Sequence, residues 1–125
     1  MLRLALALPM ALALFALPTA AQSINPGGAW VDRYGTAFEF KLCGDGTDLC
    51  GVLKDVQGKS RTPGNLAYVN RQVVKAEQVK ANEWKGTVIF DGSQAAATVK
   101  QVSPDTIKIT GCRAILCQTL TFNRV

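Results

Sequence analysis

Apolar and polar positions alternate with a period of two over much of this chain. Phe38, Phe40 and Leu42 alternate with Ala37, Glu39 and Lys41, which predicts a half-buried strand. Gly44-Asp45-Gly46-Thr47-Asp48 reads as a turn, and Leu49 to Lys54 as the return strand. Trp84-Lys85-Gly86 leads into Thr87 to Phe90, where Val88 and Phe90 share a face, and Asp91-Gly92 is a strong hairpin turn. Beyond it, Ala95, Ala97 and Val99 oppose Gln94, Ala96, Thr98 and Lys100. After a turn at Ser103-Pro104-Asp105, Ile107 and Ile109 alternate with Thr106, Lys108 and Thr110. The last run sets Leu120 and Phe122 against Thr119, Thr121 and Asn123. Turns at hairpin spacing between β-branched and aromatic runs predict an all-β protein. The expected architecture is a small, closed or nearly closed, up-and-down antiparallel β-barrel.

Three stretches interrupt the alternation. Asp32-Arg33-Tyr34-Gly35 reads as a kink or bulge. Asp55 to Asn65 is the longest polar, breaker-rich segment and reads as a mobile loop. Between residues 66 and 80, Leu66, Val69, Val73 and Ala76 keep helical spacing with Asn65 as a candidate cap, yet Val73 and Val74 are β-branched. The reading adopted is a strand over Arg71 to Lys80, with room for a short helical turn before it.

The ends of the β pattern carry a specific expectation. Gly28-Ala29-Trp30 opens the first strand and Arg124 closes the last. An up-and-down barrel lays those strands side by side, so the guanidinium is expected over the indole at a closed end.

Composition changes the picture chiefly at the N-terminus. Met1-Leu2-Arg3 precedes an almost unbroken Leu/Ala run from Leu4 to Leu17, and Thr19 and Ala21 stand three and one places before Gln22. This is the pattern of a secretory signal peptide cleaved after Ala21, with an apolar run too short for a spanning helix. Residues 1–21 are thus expected to be removed, leaving 22–125 as one β-barrel domain of 125 − 21 = 104 residues. Loss of Arg3 takes the net charge from +5 to +4. The expected location is periplasmic or secreted, with no transmembrane segment after cleavage. The basic residues form no run, so a nucleic-acid partner is not expected, and mild basicity suits anionic neighbours in the envelope.

All four cysteines, Cys43, Cys50, Cys112 and Cys117, follow the leader. An even count in a small exported domain reads as two disulfides. Of the three connectivities, Cys43–Cys50 with Cys112–Cys117 is favoured, because each pair brackets a hairpin turn. A zinc site fits poorly, since the spacings are C-x6-C and C-x4-C and the chain has no histidine. Asp45 and Asp48 suggest the start of a calcium loop, but the remaining oxygen ligands are missing. No cofactor is expected.

Taken together, Gly28-Ala29-Trp30, Cys43, Leu49-Cys50-Gly51, Trp84-Lys85-Gly86, Gly111-Cys112, Cys117 and Phe122-Asn123-Arg124-Val125 resemble a family of small exported bacterial proteins known as domain of unknown function 2147. The resemblance implies a lipocalin-like (calycin-like) barrel and export, and it brings no activity with it. Two family features are absent: an Asn-Pro stretch near residues 55–70, and a tryptophan where this chain has Phe122.

Catalytic chemistry is sparsely represented. The commonest general acid and base is missing with histidine. Asp45, Asp48, Asp91 and Asp105 fall in predicted turns, and Glu39 falls on an outer face. There is no Gly-x-Ser-x-Gly elbow and no phosphate-cradling glycine loop. A non-catalytic binding protein is the expectation. Phe38, Phe40 and Phe90, with Val88, Ile107, Ile109, Leu120 and Phe122, would line the interior. Arg61, Tyr68 and Arg71 would stand at its rim, ready for the acidic group of a small amphipathic ligand. Eight strands leave an interior either filled by side chains or holding one small ligand. An unfilled cavity would favour a carrier. A packed interior would favour an envelope interaction protein, an inhibitor or assembly factor acting through loops that carry Arg61, Tyr68, Arg71 and Arg113. Trp84 reads as a core or edge residue.

Overall fold

The computed structural model describes residues 24–125, so the expected signal peptide lies outside the described residues. Eight antiparallel strands follow one another around a closed barrel: β1 (Gly28–Asp32), β2 (Ala37–Cys43), β3 (Asp48–Asp55), β4 (Gln72–Lys80), β5 (Glu83–Phe90), β6 (Ser93–Ser103), β7 (Thr106–Arg113) and β8 (Leu116–Arg124). The ring closes through β1 and β8, with Trp30 opposite Arg124, Val31 opposite Asn123 and Asp32 opposite Phe122. Closure leaves no edge strand to pair with another chain. Two disulfides, Cys43–Cys50 and Cys112–Cys117, brace the β2–β3 and β7–β8 hairpins at opposite ends of the barrel. Disulfides of this kind point to a location outside the cytoplasm.

The alternation read from the sequence places Phe38, Phe40, Val88, Ala95, Ala97, Val99, Ile107, Ile109 and Phe122 inside, all buried. Leu42 departs from it. Leu42 is exposed next to the Cys43–Cys50 bridge, although its cross-strand partner Leu49 is buried. Asp32 to Thr36 is a tight turn that ends β1, not a bulge within a strand. The Asp32 carbonyl accepts the Gly35 N–H at 3.1 Å, and the Asp32 carboxylate accepts the N–H groups of Tyr34 and Thr36 at 2.8 and 2.9 Å.

The helical spacing of Leu66, Val69, Val73 and Ala76 has a different cause. The β3–β4 ladder pairs Gly51 with Val74 and Val52 with Gln72, leaving Val73 as the extra residue of a bulge. Val73 and Val74 are therefore buried in succession, which breaks the period of two. The segment before β4 is ordered by its own hydrogen bonds. It contains a 3-10 turn (Gly58–Ser60) and one turn of helix, α1 (Pro63–Leu66). The cap of α1 is Thr62, whose hydroxyl accepts the Asn65 N–H at 3.1 Å, and Pro63 occupies the first helical position. Asn65 acts as a clamp instead. Its amide donates to Ser60 O at 2.9 Å and accepts the Asp91 N–H at 2.8 Å, tying this segment to the β5–β6 turn.

One end of the barrel is a solid floor. Trp30, Phe40, Leu49, Val74, Trp84, Val99 and Ile107 are all buried there. The Phe40 ring lies so close to β3 that a Cβ at Gly51 would stand 2.5 Å from Phe40 Cε1, so glycine makes room for the ring. Both indoles satisfy their N–H groups: Trp30 Nε1 donates to Pro26 O at 2.9 Å and Trp84 Nε1 to Thr47 O at 2.8 Å.

Arg124 closes this floor from outside. Its guanidinium carbon lies 4.3 Å from the Trp30 ring centre. Its nitrogens donate to three backbone carbonyls, Gly27 at 2.6 Å, Asn25 at 2.9 Å and Pro104 at 3.0 Å. Gly28 makes this possible. Its φ of +124° is rarely open to other residues, and a Cβ there would meet Arg124 Nη1 at 3.0 Å.

Candidate functional site

The other end of the barrel is open. A cavity of about 470 Å³ enters between the β1–β2, β5–β6 and β7–β8 turns and the 56–65 segment. Its body is apolar, formed by Phe38, Leu53, Val56, Val73, Val88, Ala95, Ile109, Leu120 and Phe122. The floor explains why it stops there. Phe38 stacks on Phe40 at 5.6 Å between ring centres and meets Phe122 edge-on at 5.1 Å, so the aromatic layer above Trp30 forms the cavity base. Above that layer several inward positions are small, Ala95 and Gly111 among them, and the aliphatic residues around them leave the barrel unfilled.

The polar groups of the mouth lie mostly on one side. Asp32, Tyr34, Thr36, Lys59, Ser60 and Asn65 line it from the β1–β2 turn and the 56–65 segment. Most of them are engaged with one another. The Thr36 hydroxyl donates to Ser60 Oγ at 2.6 Å, and that hydroxyl passes its own proton to Gln57 O at 2.8 Å. Thr62 Oγ1 donates to the Asp91 carboxylate at 2.7 Å. Lys59 stands apart. Its ammonium lies 6.0 Å from the Tyr34 ring centre and has no carboxylate partner among the described residues. The Arg33 guanidinium is also near that ring, 4.7 Å from its centre, and donates to the Tyr34 hydroxyl. The opposite side of the mouth carries two polar residues, Gln118 and Arg113, and the Arg113 guanidinium lies 5.6 Å from the Phe90 ring centre and donates to the Phe90 and Ser93 carbonyls.

The residues expected to bind ligand separate in the structure. Phe38 and Phe90 line the cavity, Phe38 deep and Phe90 at the mouth with 39% of its surface exposed. Phe40 is sealed in the floor. Arg61, Tyr68 and Arg71 do not line the cavity. The Arg61 guanidinium turns back to Val56 O at 3.4 Å, and Arg71 lies over the Tyr68 ring at 5.3 Å, while Tyr68 packs against the outside of the core. The cations that line the mouth are Lys59, in the polar 56–65 segment, and Arg113, whose guanidinium is held by the Phe90 and Ser93 carbonyls. Lys59, in the 3-10 turn Gly58–Ser60, lines the cavity, whereas Arg61, the next residue after that turn, does not.

Among the described residues no cluster of three or more Cys, Asp or Glu side chains could hold a metal, and all four cysteines are bridged. No described helix is long and apolar enough to cross a membrane. Compared with protein-family models, curated proteins and solved structures, the chain matches none.

Proposed function

We propose that this is an exported, non-catalytic carrier of a small apolar or amphipathic ligand in the cell envelope. The observation that carries the reading is the open apolar cavity above the sealed floor, of about 470 Å³, within the size range of small-molecule pockets. A ligand would leave its apolar body among Phe38, Val88, Ile109 and Phe122 and bring an acidic group to Lys59 at the mouth. The unfilled interior favours this over an interaction protein with a packed barrel. On the same reading the protein belongs with the lipocalin-like exported family that its motifs resemble.

Two variants test the proposal. Gly111 faces the cavity, and a Cβ there would make only ordinary contacts, 3.6 Å to Val88 Cγ1 and 4.0 Å to Ala96 O. Gly111→Leu should therefore occupy ligand space without distorting the barrel. Titration calorimetry with a medium-chain fatty acid and the matching alcohol should show both losing affinity to this variant. Lys59→Ala should weaken the acid alone, by about tenfold, the scale of one charge-assisted hydrogen bond. Absence of binding to the parent protein, together with no co-purifying small molecule in native mass spectrometry, would sink the carrier reading.

A further inference from the structure

We infer that the β7–β8 hairpin tip is a docking element for an anionic lipid bilayer, set so that the cavity mouth faces the membrane. The two-residue turn joining β7 to β8 is Ala114-Ile115, with Leu116 opening β8. Ile115 is 92% exposed and Leu116 is 77% exposed, and they adjoin Phe90 at the mouth. A solvent-facing turn of this kind ordinarily selects Asn, Asp or Gly, all the more where φ is positive, as at Ala114 (+55°). This chain puts aliphatic side chains there, and the Cys112–Cys117 bridge at the base of the hairpin holds them out. Leu116 and Phe90 also line the cavity, so apolar side chains reach from the tip to the mouth.

Charge selects the occupant. The turns and connecting segment at the mouth carry Arg33, Lys54, Lys59, Arg61, Arg71 and Arg113 against Asp32, Asp55 and Asp91, six cations against three anions. That net +3 is most of the +4 carried by the chain beyond Ala21, and the rest of the barrel is close to neutral at +1. A convex apolar point next to Arg113, on the end of the barrel that carries most of the net positive charge, suits an anionic headgroup layer, into which Ile115 and Leu116 would insert while the arginines and lysines meet phosphates.

This inference rests on the carrier reading for its purpose, not for its geometry, and the two can fail separately. The full chain and its Ile115→Ser/Leu116→Ser double variant, identical over residues 1–21, are compared by co-sedimentation with phosphatidylcholine vesicles with and without phosphatidylglycerol. Fatty-acid binding in solution is measured on the same samples. The expected result is binding to the phosphatidylglycerol vesicles that weakens as salt rises and falls at least tenfold in the double variant. Melting temperature should stay unchanged in the double variant, and fatty-acid affinity should stay unchanged in Ile115→Ser alone, since Ile115, unlike Leu116, does not line the cavity. In the Ile115→Trp variant, whose native indoles are buried (Trp30 0% and Trp84 2% exposed), brominated lipids should quench the new emission. Equal binding of parent and double variant, no preference for the anionic vesicles, or an unquenched Trp at position 115 would each overturn the docking inference while leaving the cavity reading intact.

Discussion

Arg124→Ala should be among the most damaging single changes outside the core. The side chain is 29% exposed, so its interactions are partly shielded from water. It stacks on Trp30 at 4.3 Å, a contact worth about 0.5 to 2 kcal/mol by the usual range for such pairs. Its hydrogen bonds to Asn25, Gly27 and Pro104 hold the lead-in segment and the β6–β7 turn against the floor. Charge-assisted bonds contribute roughly 1.5 kcal/mol or more each when buried, but the freed carbonyls here regain water in part, so about 1 to 2 kcal/mol in all is reasonable. The Asp105 carboxylate, 3.7 Å away and 81% exposed, adds little. The expected loss is thus about 1.5 to 4 kcal/mol, against a total stability of roughly 5 to 15 kcal/mol for a domain of this size. That corresponds to a fall in melting temperature on the order of 10 to 20 °C. Urea denaturation followed by Trp30 emission measures it directly. Arg124→Lys, which keeps the charge but loses the fork, should fall between, and Asp105→Ala should stay within about 0.5 kcal/mol of the parent. An Arg124→Ala protein that unfolds with the parent's midpoint would show that the floor is sealed by the indole alone.

Intact mass of material recovered from the envelope should show loss of residues 1–21 and four oxidised thiols, and peptide mapping should join Cys43 to Cys50 and Cys112 to Cys117. Replacing Cys112 and Cys117 by alanine should cost roughly 2 kcal/mol, the scale for closing so short a loop. Asp45 titrates below its ordinary value of 3.8, chiefly because the Thr47 hydroxyl donates to it at 2.7 Å and then because the Thr47 N–H does so at 3.1 Å. Its folded value being the lower one, the stabilisation is present above 3.8 and is lost as pH falls through the lowered value. Thr47→Val should move the Asp45 titration up toward 3.8 in an NMR pH series, and an unmoved titration would refute this cause.

The fold was legible because burial on a strand repeats every second residue, and Phe38, Phe40, Ala95, Val99, Ile107 and Phe122 each keep that beat. The hairpin turns and the local cysteine pairs were legible for a similar reason, since their partners lie within a few residues of each other. Where non-local pairing sets the register, the signal vanished. The bulge at Val73 exists only relative to Gly51 and Val52 on β3, and the deeper placement of Phe40 only relative to Gly51 across the ladder. Closure brought Trp30 and Arg124 together over a separation that topology alone could foretell, while the three carbonyls that fix the guanidinium belong to segments with no pattern of their own. The cavity was decided entirely in three dimensions, because a void depends on how far Phe38 and Phe122 reach across the barrel and where Ala95 and Gly111 fail to. Which cations line the cavity was decided there too: Lys59 and Arg113 do, while Arg61 turns back to Val56 O and Arg71 lies over the Tyr68 ring, contacts that no sequence pattern announces.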